Sequence, residues 1–249
     1  MPKKIKGGYC YLCGTYRNTL TRDHIPPKNL APRTSDATFL YAYACSTCNN
    51  KLSHDESKFR DFLAVTCSDE SIPEANDAFE AFKRNIQRND LGRAGMPHKD
   101  LVRILQGMGK KDIYTPNQIY LGTAPTISMA PDIDVKGILL KIASGLHTVH
   151  TNEIIPSSYR RAACLYGQAP PYPPMDRVDD LHVLGNVGSF FHYRGGWAPD
   201  DPKAGIWYMM FYNMLIGLAV FAPPSLQEIQ ERSVSSASDE GNNEGKLEV

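Results

Sequence analysis

The chain has 249 residues, 42% of them apolar, and 27 Lys/Arg balance 27 Asp/Glu. That is enough apolar material for one large domain or two modest ones, which excludes a fold held up entirely by metal or disulfides. Zero net charge argues against a generic polyanion binder, but the charge is unevenly placed: residues 1–60 hold ten Lys/Arg and four Asp/Glu, making that window +6 and the remainder −6.

The opening MPKKIKGGYC reads as a short basic arm running into a strand or knuckle at Tyr9–Cys13. Thr15 to Pro32 reads as loop, with Thr21–Ile25 extended because Pro26-Pro27 keeps the preceding residues out of the helical region. Phe39–Ala44 alternates bulky aromatics with smaller side chains, a strand pattern leading into Cys45. A turn of helix is expected from Cys48. Ser53-His54-Asp55-Glu56 then reads as a capping box, with Ser53 as N-cap, opening a helix through Phe59, Phe62 and Leu63.

Further helices are predicted from Pro73 to about Asn89 and from Pro97 to about Met108. Gln118–Ala130 is β-like, and Val135–His147 has helical spacing through Ile138, Leu139, Ile142 and Leu146. Gly167–Pro174 reads as a connector, Ser189–Tyr193 and Ile206–Phe221 as strands of a small sheet, and the tail from Ser233 as disordered. The run Ile206–Ala222 is too short and too interrupted by Asn213 and Gly217 for a membrane span, so buried strands are the better reading. The expected fold class is α+β. It comprises a metal-knotted module (residues 1–66), a mainly helical middle (67–166), a β-rich region (167–232) and the tail (233–249).

Four of the six cysteines form two C-x-x-C pairs, Cys10/Cys13 and Cys45/Cys48, with Cys67 and Cys164 isolated. Without a signal peptide, paired spacing points to metal ligation in a reducing compartment, the cytoplasm, over a disulfide framework. A C-x-x-C turn sets two sulfurs at two corners of a tetrahedron, so the two pairs together predict one closed structural zinc site. A site with four thiolates has no open position for catalysis.

Between the pairs lies Asp23-His24, and Asn49 follows the last cysteine directly. Phosphodiester hydrolysis needs a base to activate water and a divalent cation to stabilise the phosphate and leaving oxygen. His24 suits the first task; Asp23 and Asn49 offer hard oxygen ligands for Mg²⁺ or Mn²⁺. The string C-x-x-C, D-H-I-x-P, C-x-x-C-N with a following Lys resembles the HNH (His-Me finger) nucleases, in the four-cysteine branch that includes phage recombination endonuclease VII-like enzymes. It covers about a quarter of the chain, residues 10–60. The resemblance implies a ββα-metal module, DNA (or RNA) as substrate, His24 as general base, and Asp23 and Asn49 as ligands of the catalytic metal. Lys51 then falls at a phosphate contact, and Asp55 or Glu56 could supplement the metal. Leu40 stands where the motif usually has its middle Asn, and Asn49 stands at the third position in place of His. The C-terminal region is left for substrate choice, a protein partner or self-association. The alternative is a zinc-ribbon-like or degenerate module that binds nucleic acid or protein and does not cleave.

The remaining histidines carry no metal spacing beyond His147-x-x-His150, which one helix end produces by itself. Phe190, Phe191, Tyr193 and the Trp197 region could stack on bases, with core strand positions the better reading.

Overall fold

A computed structural model describes residues 4–32, 37–69, 71–87, 109–114, 120–126, 133–166 and 181–224. Near the N-terminus, strands β1 (Lys4–Tyr9), β2 (Tyr16–Ile25) and β3 (Leu40–Ala44) form an antiparallel sheet in that order. The stretch from Thr15 that reads as loop is therefore a ten-residue strand over most of its first half. Tyr16, Thr19, Thr21 and Ile25 suit a strand, but Tyr16–Thr19 are all exposed, so burial does not sort the side chains of that half into two faces.

Helices α1 (Ser46–Asn50), α2 (Ser53–Thr66) and α3 (Pro73–Gln87) follow. The expected capping box is absent. Leu52 occupies the N-cap position without a side-chain cap, and Ser53 Oγ donates back to the Asn50 carbonyl at 2.9 Å. Glu56 is drawn inward instead, for a reason given below. The predicted helix at Pro97–Met108, the connector at Gly167–Pro174 and the tail from Ser233 lie outside the described residues. Strands β4 (Gly109–Tyr114) and β5 (Tyr120–Thr126) pair as a hairpin, the second within the β-like stretch read from sequence.

The C-terminal sheet has five antiparallel strands: β6 (Arg160–Tyr166), β7 (Val183–Val187), β8 (Phe191–Ala198), β9 (Asp201–Phe211) and β10 (Leu215–Ala222), in the spatial order β6-β10-β9-β8-β7. Ile206–Ala222 thus makes most of the β9–β10 hairpin, and no helix among the described residues is long and apolar enough to cross a membrane. Tyr212 and Asn213 at its turn both hold left-handed backbone, φ 51° and 55°. Tyr212 gains from this position: its buried hydroxyl donates to the Leu30 carbonyl at 2.9 Å, tying the far sheet to the N-terminal module. Phe190, Phe191 and Tyr193 are buried core residues.

Between the two sheets runs α4 (Val135–Thr151), capped by Asp134, whose Oδ1 accepts from Gly137 N at 2.8 Å, and closed by Asn152 with left-handed φ 59°. Ile138, Leu139, Ile142, Ala143, Gly145 and Leu146 are all buried, so the helix is covered on more than one face. That is the pattern of an interior helix rather than an amphipathic surface one. Two close approaches fix its seat. A Cβ on Gly145 would lie 2.3 Å from Ile25 Cδ1 of β2, and a Cβ on Gly217 of β10 would lie 2.6 Å from Leu139 Cδ2.

Gly145→Ala should therefore destabilise the protein by about 1–3 kcal/mol, the cost of overpacking a filled core. Ile25→Ala in the same chain should recover part of that cost, giving a favourable coupling of about 1 kcal/mol in a denaturant double-mutant cycle. Additive losses would show that β2 and α4 do not press on each other at this point.

Candidate metal centre and the polar cluster behind it

The sulfurs of Cys10, Cys13, Cys45 and Cys48 lie within 4.8 Å of one another, a spacing that suits four thiolates around one ion. Each pair sits on a turn that its own sequence makes. After the first, Gly14 adopts left-handed backbone (φ +68°) and donates to the Cys10 carbonyl at 2.8 Å. At the second, Cys45 is the extended N-cap of α1, and Asn49 N donates to its carbonyl at 2.9 Å. Tyr11 N donates to the Tyr43 carbonyl at 3.1 Å, drawing the first turn against β3. Cys67 is buried at the end of α2 with its thiol pushed up to about 12 by burial, and neither it nor Cys164 belongs to the cluster. Among the described residues, no other group of three or more His, Cys, Asp and Glu side chains converges in this way.

Behind the cysteines lies a buried polar cluster that the sequence does not advertise. The Lys141 ammonium, delivered by α4, reaches Glu56 Oε1 at 2.7 Å, Asp23 Oδ2 at 3.2 Å and the Asn49 carbonyl at 3.2 Å. An ammonium has three N–H bonds, and here each has an oxygen. Tyr11 donates its hydroxyl to the same Asp23 oxygen at 2.8 Å. Lys141 is only 4% exposed and Asp23 5%. Burial raises the carboxyl pKa of both Asp23 and Glu56, against the lowering pull of the Lys141 charge. Burial also raises the Tyr11 phenol, with the Asp23 charge adding to it.

Asp23 and Asn49 are thus brought together, as the sequence suggests, but around Lys141. His24 is directed elsewhere. Side chains alternate along β2, so Asp23 faces α4 while His24 turns to the outer face, where its ring meets the edge of Phe39 at 5.7 Å. Burial, followed by the charge of Lys28, lowers the His24 pKa; Asp23 opposes this and Arg22 adds to it. His24 is half-buried, Lys51 and His54 are exposed, and Leu40 pairs with Ile25 at the end of the β2–β3 ladder.

A divalent metal on Asp23 and Asn49 would need the carboxylate and the amide oxygen turned to one point. Thr21 Oγ1 donates to the Ala44 carbonyl, so it can only accept from Asn49, which gives it Nδ2 at 3.0 Å. Asn49 Nδ2 also faces the Arg22 carbonyl at 3.5 Å. With its amide nitrogen held there and Asp23 Oδ2 engaged by Tyr11 and Lys141, the cation that this pair faces is the Lys141 ammonium. The four cysteines fit a structural metal ion.

No protein-family model, curated protein or solved structure matches this chain.

The missed residues are Lys141 and Tyr11; Glu56 reads from sequence as a helix cap first and as a supplementary metal ligand second. The signal for Lys141 was present: a lone charge in the apolar run Ile138–Leu146, one turn before Gly145, on a stretch with no polar face. Glu56 was obscured by the capping-box pattern, which it matches in sequence but not in space.

Cys45→Ser should abolish stoichiometric metal retention and the cooperative unfolding of the N-terminal segment, since metal binding in such sites is worth on the order of 10 kcal/mol. Metal analysis and circular dichroism on purified protein check this. Unchanged metal content and melting would refute a four-thiolate centre.

Proposed function

We propose that residues 1–66 form a zinc-knotted module of the HNH, ββα-metal type that binds nucleic acid through the outer face of its three-stranded sheet. The succession of β2 and β3 between the two C-x-x-C turns, with α1 starting inside the second, supports the module; tetrahedral zinc is the ion that four such thiolates favour. The observation that carries the binding reading is the outer face itself. The Arg22 guanidinium stacks 3.8 Å above the Tyr41 ring, and Tyr41 is 43% exposed. Tyr43 meets Tyr41 edge-on, and Tyr9 (62% exposed) and Tyr16 (55%) form a second edge-to-face pair on the same sheet.

Large exposed aromatics beside Arg22, His24 and Lys28 make a stacking platform with positive charge around it. Unpaired bases stack on such rings, and the phosphates between them meet the cations. Asp23, the acid adjoining this set in sequence, is turned inward and neutralised by Lys141, so it does not repel the backbone. The expected ligand is single-stranded DNA or RNA.

One observation favours a second, hydrolytic reading. The His24 ring lies half-buried on the outer face with its edge against Phe39, and burial lowers its pKa, which favours the neutral imidazole that a general base requires. Under this reading the His24 ring, on the same face as Arg22, would take a proton from the attacking water.

The same assays separate the two. Labelled single-stranded oligonucleotide should bind more tightly than duplex, with a salt-dependent affinity, and Tyr41→Ala or Arg22→Ala should each weaken binding about tenfold. Undiminished binding by both variants would sink the platform. Incubation with Mg²⁺ or Mn²⁺ should leave the strand intact; cleavage that His24→Ala abolishes would replace this reading with the hydrolytic one.

A further inference from the structure

Three oxygens from three elements converge on one atom of α4. Asp23 Oδ2 comes from β2, the Asn49 carbonyl from α1 and Glu56 Oε1 from α2, all within 3.2 Å of Lys141 Nζ. Two carboxylates and a carbonyl are the donors a hard divalent cation takes, and they would bind it at about 2.0–2.6 Å. Here the positive charge at the centre is an ammonium.

We propose that Lys141 is a built-in cation: its ammonium fills the seat between Asp23, Glu56 and Asn49 that a divalent ion would otherwise take, and removing it opens a divalent-cation site. The chemistry of the seat requires one or the other. Two buried carboxylates facing one point without a cation repel each other, and each is already disfavoured by desolvation. The ammonium satisfies both oxygens and the carbonyl with its three protons, so no proton or donor is left over. It is also covalently supplied by a helix that is itself seated by close contacts with Ile25 of β2 and Gly217 of β10, so its effective concentration does not depend on the solution. Passing from ammonium distances of 2.7, 3.2 and 3.2 Å to Mg²⁺ distances contracts the oxygen triangle by about 0.6 Å at Glu56 and about 1.1 Å at Asp23 and the Asn49 carbonyl. This assignment stands whether or not the outer face binds nucleic acid.

Zinc-loaded protein tests it through thermal unfolding and Mn²⁺ binding followed by electron paramagnetic resonance. Wild type should bind no Mn²⁺ at the cluster, and about 10 mM Mg²⁺ or Mn²⁺ should leave its Tm unchanged. Lys141→Met should melt lower and regain roughly 5 °C or more in about 10 mM Mn²⁺, with one bound ion per chain. Glu56→Gln added to Lys141→Met should abolish both the recovery and the bound ion. Should Lys141→Met not fold alone, refolding in Mn²⁺ but not in metal-free buffer would give the same support. A Lys141→Met protein that binds no Mn²⁺, or is rescued equally without it, overturns the proposal. So does a wild-type Mn²⁺ site lost on Asp23→Asn, which would show the metal displacing Lys141.

Discussion

Everything else in this fold is arranged around a helix whose middle, from Lys141 to His147, is buried on every side. α4 packs the N-terminal module on one side and the five-stranded sheet on another, so any polar side chain it carries into the interior has to be satisfied there. Two such side chains show how this is done. Lys141 gives its three protons to Glu56, Asp23 and the Asn49 carbonyl. One and a half turns on, His147 is satisfied on one side only: its Nδ1 accepts the Trp207 indole N–H of β9 at 3.2 Å, its Nε2 is buried without a hydrogen-bond partner, and burial lowers its pKa, which favours the neutral ring. Polar groups on α4 therefore specify which residues of each sheet it faces, where the apolar contacts alone would tolerate sliding.

The buried ion cluster is better read as a device of specificity than of stability. Desolvating an ammonium and two carboxylates costs several kcal/mol per ion, and their attraction roughly repays it. Losing one partner is what is expensive, because the others are then left charged in a dry site. The dependence is mutual. Asp23 and Glu56 need Lys141, and Lys141 needs the turn after Cys48 to present the Asn49 carbonyl. In this way the local metal knot and the long-range packing of α4 constrain one another through a single atom.

What could be read from the sequence follows the range of the forces involved. The cysteine turns were legible because Gly14 and the Cys45 N-cap act within a few residues of the sulfurs. So were β3, the cores of α2 and α4, and the β9–β10 region, where apolar period and composition speak locally. The first half of the strand at Tyr16–Ile25 was not legible, since its polar residues gain order by pairing with β1, while β3 pairs only from Thr21 on, the part that reads as extended. Glu56 was assigned to a cap because the nearby pattern allows it, while its real partner lies 85 residues away. Asp23 and His24 look like one acid/base unit as neighbours in sequence. A strand sends neighbours to opposite faces, and that elementary alternation separates them.

The separation also changes what the motif residues offer the outside. If Asp23 shared a face with His24, a carboxylate would sit beside Arg22 and Lys28 and cancel part of their field. Turned inward and paired, it leaves the outer face cationic and aromatic, with the Arg22 guanidinium 3.8 Å from the centre of the Tyr41 ring. The interior clasp and the exposed platform are thus two consequences of one strand. β2 spends its acidic residue on holding α4 in register, and its basic and aromatic neighbours are free to meet a polyanion.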